Sequence, residues 1–251
     1  IQLYTRFDEV PGQDVLDTLR DLVREGALLA PIAYLVGYKE FFSLTFDVTP
    51  DVLIPRPETE ALVESAVNLC GDARGSAAHF LELGTGSGCV TIAILKQLSE
   101  SHATATDISA AAIDVARRNA DRHGVAHRIA FVEADRLNLP TDATPANGFD
   151  WIVSNPPYVA EADMASLPAN VRDHEPTIAL TPGGDGLDFY RAMAADSPGV
   201  LRAGGSVLVE IGAGQADQVA KVFTQNGAFD HVGTYRSPTD PHDRVMRFAK
   251  V

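Results

Sequence analysis

The stretch that most constrains how this chain can fold is a strand, a glycine turn and a helix in immediate succession. His79-Phe80-Leu81-Glu82-Leu83 reads as a short buried strand, and Val90 to Leu98 reads as a helix with one apolar face. Between them lies Glu82-Leu83-Gly84-Thr85-Gly86-Ser87-Gly88, whose three glycines let the backbone approach a ligand at the helix start. The pattern is G-x-G-x-G. It is neither the G-x-G-x-x-G of dinucleotide folds nor a G-x-x-x-x-G-K-[S/T] phosphate loop. Strand and helix patterns alternate from Phe80 to Gly227, the signature of a parallel sheet covered by helices.

The polar residues at the strand ends suggest what the turn holds. Glu82 is placed to bind a cationic amino group, directly or through water. That suits the methionine end of S-adenosylmethionine better than a pyrophosphate. The next strand, Ala103 to Asp107, ends in a carboxylate that could accept both hydroxyls of a ribose. Asp107 could equally cap the helix expected from Ser109 to Asn119, and the two roles are compatible. Asp135, after the strand Ile129 to Glu133, is placed to reach an adenine amino group, with a solvated loop acid as the alternative.

Downstream, the apolar run Phe149 to Ser154 leads into Asn155-Pro156-Pro157-Tyr158. Each proline fixes φ near −65° and removes an N–H donor. The result is a rigid turn presenting carbonyl oxygens, the Asn155 amide and an aromatic face. A planar N–H₂ group could hydrogen-bond to the Asn155 side-chain oxygen and the Pro156 carbonyl while stacking on Tyr158. An amide nitrogen is a poor nucleophile because its lone pair is delocalised into the carbonyl. Two acceptors on its N–H bonds would orient it and favour sp³ character as a new bond forms. No metal or Ser/His/Asp triad is required. Taken alone, the turn is ordinary loop punctuation; after the glycine turn it points to N-methylation.

The chain has 251 residues, enough for one large domain or one plus an appendage. No apolar run reaches the ~20 residues of a membrane helix, and no signal peptide is visible. Two cysteines, Cys70 and Cys89, form no disulfide framework, which fits a reduced cytoplasmic setting. The 34 acidic and 20 basic residues leave a net charge of −14, which repels nucleic-acid phosphates and leaves a protein substrate open. His123 and His127 are four apart, but Gly124 between them ends the helix, so they read as loop residues and no metal site is expected.

Helical periodicity runs from Asp14 to Leu29, and Ala33 to Val48 suggests a hairpin, clearest from Glu40 to Asp47. Ile54-Pro55-Arg56-Pro57 enters a helix from Glu58 to Leu69. The connection Val159 to Asp185 is long enough to carry function, as one wall of a substrate site. Asp230 to Arg236 and Arg244 to Val251 read as a terminal antiparallel hairpin joined by Ser237 to Pro241.

In order along the chain, six segments resemble the protein-(glutamine-N5) methyltransferases. They are Pro31 to Gly37, Ile54-Pro55-Arg56-Pro57-Glu58-Thr59-Glu60, Glu82 to Gly88, Asn155 to Tyr158, His174-Glu175-Pro176 and Gly183 to Leu187. The resemblance extends from about Asp14 and is strongest to the release-factor branch, for which the Ile54 to Glu60 segment is the most specific. It implies a class I S-adenosylmethionine-dependent methyltransferase fold, α/β and Rossmann-like, with a seven-stranded sheet whose last strand is antiparallel. It also implies S-adenosylmethionine as donor, S-adenosylhomocysteine as product and, as acceptor, the glutamine of the Gly-Gly-Gln motif in class 1 peptide release factors.

Carried over by position, Glu82, Gly84, Thr85, Gly86, Ser87, Gly88, Asp107, Asp135 and Arg136 face the cofactor. Asn155 touches both cofactor and substrate, and Pro156, Pro157 and Tyr158 clamp the amide. Arg56 and Glu60 lie near the cleft or serve helix entry. Residues 53–251 form the catalytic domain, and residues 1–52 a remnant helical domain with a hairpin linker. Two departures stand out. Only one helix precedes Pro31, where the family carries several, and the chain begins at Ile1 without Met; either the chain is a fragment or this member lacks most of the docking helices. Arg136 stands where some relatives have an aromatic on the adenine, and a guanidinium plane can stack there instead. The other readings are glutamine methylation of a ribosomal protein, adenine methylation of DNA, for which a basic face is missing, and a non-enzymatic cofactor-binding module. A monomer is expected.

Overall fold

A computed structural model of the chain describes residues 8–70, 77–236 and 241–251. Helix α1 (Gln13–Ala27) buries none of its residues. It is followed by a short helix, α2 (Ile32–Val36), and a hairpin of β1 (Tyr38–Phe41) and β2 (Leu44–Asp47). The hairpin expected from Ala33 is therefore shorter, because Pro31 sets an extended N-cap and Gly37, at φ 80°, closes a helical turn by donating its N–H to the Ala33 carbonyl. A 3₁₀ turn (Pro57–Thr59) then leads into α3 (Glu60–Leu69).

The main sheet uses β3 (His79–Leu83), β4 (His102–Asp107), β5 (Ile129–Glu133), β6 (Phe149–Ser154), β7 (Leu201–Glu210), β8 (Phe229–Arg236) and β9 (Asp243–Lys250). Their order is β5-β4-β3-β6-β7-β9-β8. Pairings from β5 to β7 are parallel, and β9 runs antiparallel to both neighbours. The expected seven-stranded sheet with an antiparallel last strand is present. Part of the joint of the terminal hairpin, residues 237–240, lies outside the described residues.

Each sheet face carries its own core. On one side, α3 and α4 (Cys89–Gln97) pack over Phe80, Trp151 and Val153; on the other, α8 (Asp188–Val200) and α9 (Ala216–Thr224) cover Leu81, Ile152 and Phe248. The two short helices α6 (Ala169–Arg172) and α7 (Thr177–Leu180) break up the long connection after β6. Neighbouring residues of one strand serve opposite cores because strand side chains alternate. Phe80 and Trp151 are register partners across β3 and β6, and their rings stack at 4.1 Å with planes 4° apart.

Helix α5 (Ala110–Arg122) is capped by the Ser109 hydroxyl, which accepts the Ala112 N–H at 3.2 Å; Asp107 is not the cap. The helix ends at His123 and Gly124, as its sequence implies, and the His123 ring nitrogen lies 2.8 Å from the Thr45 carbonyl oxygen. Among the described residues no His/Cys/Asp/Glu group could hold a metal, and no helix is long and apolar enough to cross a membrane. Trp151→Ala removes one half of the central stack and should cost about 3–5 kcal/mol. Urea unfolding should show this as a lower midpoint at an unchanged slope.

Candidate active site

The strand order turns back between β3 and β6, so their following segments cross to opposite faces and leave a crevice at the carboxyl ends. A cavity of about 530 Å³ opens there. Its floor is the glycine turn. The Thr85 N–H donates to the Thr106 carbonyl at 2.8 Å, and the Gly88 N–H donates to the Thr85 carbonyl at 2.8 Å. Gly88 has φ 80°, and a Cβ there would stand 3.1 Å from both the Ala116 Cβ and the Ile92 Cδ1. A side chain at 88 would force α4 and α5 apart.

Two acids hold the turn from below. The Asp107 carboxylate accepts the Gly86 N–H at 2.9 Å through Oδ2 and the Ser109 N–H at 3.0 Å through Oδ1. Burial pushes its pKa up and these backbone donors pull it back. Glu82 is buried, and its Oε2 accepts the hydroxyls of Thr85 at 2.6 Å and Thr91 at 2.5 Å. Burial still raises its carboxyl to about 7. A cation placed beside it in the cavity would offset that burial and hold it ionised.

After β5, Ala134, Asp135 and Arg136 also line the cavity. Arg136 has φ 53°, and its guanidinium sits 5.7 Å from the centroid of the Phe189 ring. Asp135 is exposed at the rim, 3.8 Å from the Arg136 Nε. At the end of β6, Asn155 faces the cavity and its Nδ2 donates to the Thr59 hydroxyl at 3.1 Å. Acids, glycines and an asparagine that are far apart in sequence thus share one pocket of the size that takes a nucleoside cofactor.

A methyltransferase small domain model matches residues 59–185. The chain is 41% identical to the release factor glutamine methyltransferase of Geobacter sulfurreducens over 92% of this chain and 78% of that protein. It is 46% identical to the Cereibacter sphaeroides protein of the same name over 78% of this chain and 67% of that one. The chain belongs to the release factor glutamine methyltransferase family. Its fold is also that of a ribosomal protein L11 methylase structure from Lactobacillus delbrueckii subsp. bulgaricus. That match has TM-score 0.56 and 19% identity, and it covers 81% of this chain and 83% of that one.

Within this methyltransferase the structure brings most of the expected residues together and turns four away. Glu82, Gly84, Thr85, Gly86, Ser87, Asp107, Asp135, Arg136, Asn155, Pro157 and Arg56 all line the cavity. Gly88 is packed beneath it. Glu60 points to the hairpin, where its Oε1 accepts the Phe42 N–H at 2.8 Å, so its place is structural. Pro156 is buried, and Tyr158 is half-buried against the core that contains Leu187 and Tyr190 and does not line the cavity. The reason is local: residues preceding proline are held extended, so successive side chains of Asn155 to Tyr158 point different ways.

The connection from Val159 to Asp185 lines the cavity through Pro176, Ile178 and Thr181, as its length suggested. Thr59 and Phe189, not singled out in the sequence, line it too, and Asn119 braces the glycine turn from below. The buried Asn119 amide bonds Asp47 N at 2.7 Å, Asp47 O at 3.0 Å and Ser87 O at 2.8 Å, tying hairpin, helix and glycine turn together. Glu175 closes the far side. Its carboxylate accepts the Ile54 N–H at 3.1 Å and pairs with the Arg56 guanidinium at 2.5 Å, clasping the loop after β6 to the Ile54–Thr59 segment. Gly186, at φ 80°, lets this loop pass under Asn155 to Tyr158, since a Cβ there would stand 2.5 Å from the Tyr158 carbonyl.

Breaking a fully buried ion pair costs about 3–5 kcal/mol, but the Arg56 side chain keeps 31% exposure, so Glu175→Ala should cost about 2 kcal/mol. Limited proteolysis should then cut within residues 159–187 faster than in the wild type.

Proposed function

We propose that this chain methylates the side-chain amide nitrogen of the glutamine in the Gly-Gly-Gln motif of class 1 peptide release factors, with S-adenosylmethionine as donor. The observation that carries this reading is Asn155 in the same cavity as the glycine turn and Asp107. The family names of its relatives and the acidic surface support the same acceptor. Residues 53–251 are read as the catalytic domain and residues 1–52 as a helical segment with a hairpin linker.

The residues fit that donor. An ionised carboxylate has about four acceptor sites, so Asp107 keeps capacity for a ribose diol after binding two backbone N–H groups. Glu82 suits the ammonium of the methionine end. Arg136 and Phe189 offer a planar slot for the base, with Asp135 at its edge. The bound donor supplies an electrophilic methyl on a sulfonium sulfur. Asn155 holds the acceptor amide through its side-chain oxygen, with the rigid turn of Pro156 and Pro157 fixing the approach. This orients the nitrogen lone pair and stabilises the N–H groups as they gain positive character. Pro176, Ile178, Ala179, Thr181 and Pro182 line the same cavity.

Asn155→Ala should abolish transfer from labelled S-adenosylmethionine to purified release factor at near wild-type Tm. A Gly-Gly-Ala release factor should take no label from the wild-type enzyme. Label on that variant, or full activity of Asn155→Ala, would overturn the assignment, and label appearing only on ribosomal protein would move the substrate. Asp107→Ala should weaken cofactor binding by about 1–3 kcal/mol in titration calorimetry, as expected for lost charge-assisted hydrogen bonds.

A further inference from the structure

Of the six segments that carry the family resemblance, Pro31 to Gly37 has no part in the site described so far. It forms α2, and none of its residues lines the cavity. It reaches the cavity at one remove. Pro50, Asp51, Val52 and Leu53 all line the cavity, and they lie between β2 and the 3₁₀ turn in neither strand nor helix. A wall built from irregular chain opens easily unless groups outside it hold it in place.

Two groups of the α2 segment do so. The Tyr34 hydroxyl donates to the Val52 carbonyl at 2.6 Å, and the Gly37 carbonyl accepts the Val48 N–H at 3.0 Å. A carbonyl oxygen only accepts, so the direction of the first bond is fixed. Burial, with the Glu175 charge adding to it, pushes the Tyr34 hydroxyl above the ordinary phenol range, so it keeps its proton. The Tyr34 side chain also packs against the cluster of Val48, Val52, Ala112 and Val115. Ala112 stands in the first turn of α5 and itself lines the cavity. The far end of the strap is fixed separately, by the Ile54 N–H on the Glu175 carboxylate. Tyr34 therefore ties the middle of the strap to the rest of the protein.

We propose that Tyr34 is a positioning residue for the methyl donor: through Val52 it holds the strap Pro50 to Leu53 in the shape that a bound cofactor meets. This rests on the reading of the cavity as the donor site. A strap released from Tyr34 samples other positions, and the donor must order it again on binding. The loss then falls on donor affinity and not on the transfer step, because Asn155 and the glycine turn are untouched.

The test compares the wild type with Tyr34→Phe, which deletes the hydroxyl and keeps the ring in its cluster. Titration calorimetry with S-adenosylhomocysteine should give a Kd raised about fivefold, the ratio expected for one hydrogen bond of ordinary net strength. In release-factor methylation the KM for S-adenosylmethionine should rise by a similar factor, with kcat at saturating donor unchanged. A merely structural defect does the reverse, lowering kcat through a smaller active fraction at constant KM. Hydrogen exchange in the ligand-free protein should be faster in residues 48–53 and unchanged in β3 and α4, whereas general destabilisation would speed both. A Kd within twofold of wild type, or a lower kcat at unchanged donor KM, overturns the role of Tyr34. If Tyr34→Phe fails to fold, Pro50→Gly frees the same strap while leaving Tyr34 in place. It should weaken S-adenosylhomocysteine binding likewise, and wild-type affinity there overturns the proposal. If the wild type itself binds no S-adenosylhomocysteine, the reading of the cavity as the donor site fails and the proposal falls with it.

Discussion

The pairing of β3 with β6 decides where everything else in this molecule lies. Phe80 to Leu83 sit in register with Trp151 to Ser154, locked by the Phe80–Trp151 stack and by the Ser154 hydroxyl donating to the Leu83 carbonyl at 2.8 Å. Because both strands end at the same level, the glycine turn after β3 and the Asn-Pro-Pro-Tyr turn after β6 emerge side by side. A register slip of one residue would exchange the two cores and move Glu82 from beneath the glycine turn to the opposite face. The crevice at the strand reversal is thus a consequence of sheet order before it is a property of any loop.

Around that crevice the protein gathers acids at a cost. Glu82, Glu175 and Glu210 are all buried, and Asp107 is mostly withdrawn from water. Each is answered differently. Glu175 has a guanidinium and a backbone N–H, Asp107 has two backbone N–H groups, and Glu82 has two hydroxyls. Full pairing gives Glu175 a structural task, closing the loop over the site. Hydroxyls compensate a buried charge less well than cations do, which leaves Glu82 with a carboxyl raised to about 7, beside the cavity it lines. Glu82, buried and paired only with hydroxyls, therefore lies where a ligand in the cavity can set its charge.

Much of this was legible along the chain. A strand that ends in Gly-x-Gly-x-Gly before a helix leaves little choice of architecture, and a carboxylate at the end of Ala103 to Asp107 is informative because strand ends line the crevice. Glu60 and Tyr158 do not line the cavity, because a turn or helix start fixes a residue's height and not its azimuth. The Glu60 carboxylate meets a donor in the hairpin turn at Phe42, and Tyr158 packs partly buried against the core.

The sequence by itself determined the alternation of strands and helices, the two turns at strand ends and the residue types able to meet a nucleoside cofactor and an amide. These depend on local backbone preferences and on side-chain periodicity, which short segments carry alone. Only the tertiary structure decided which of those residues share a cavity and which groups orient them. Asn155 meets Thr59, Arg56 meets Glu175 and Asn119 meets Ser87 across 32 to 119 residues of chain. Contacts of that span exist only once the sheet has fixed its strand order, and a hydrogen bond requires its partners within a few tenths of an ångström.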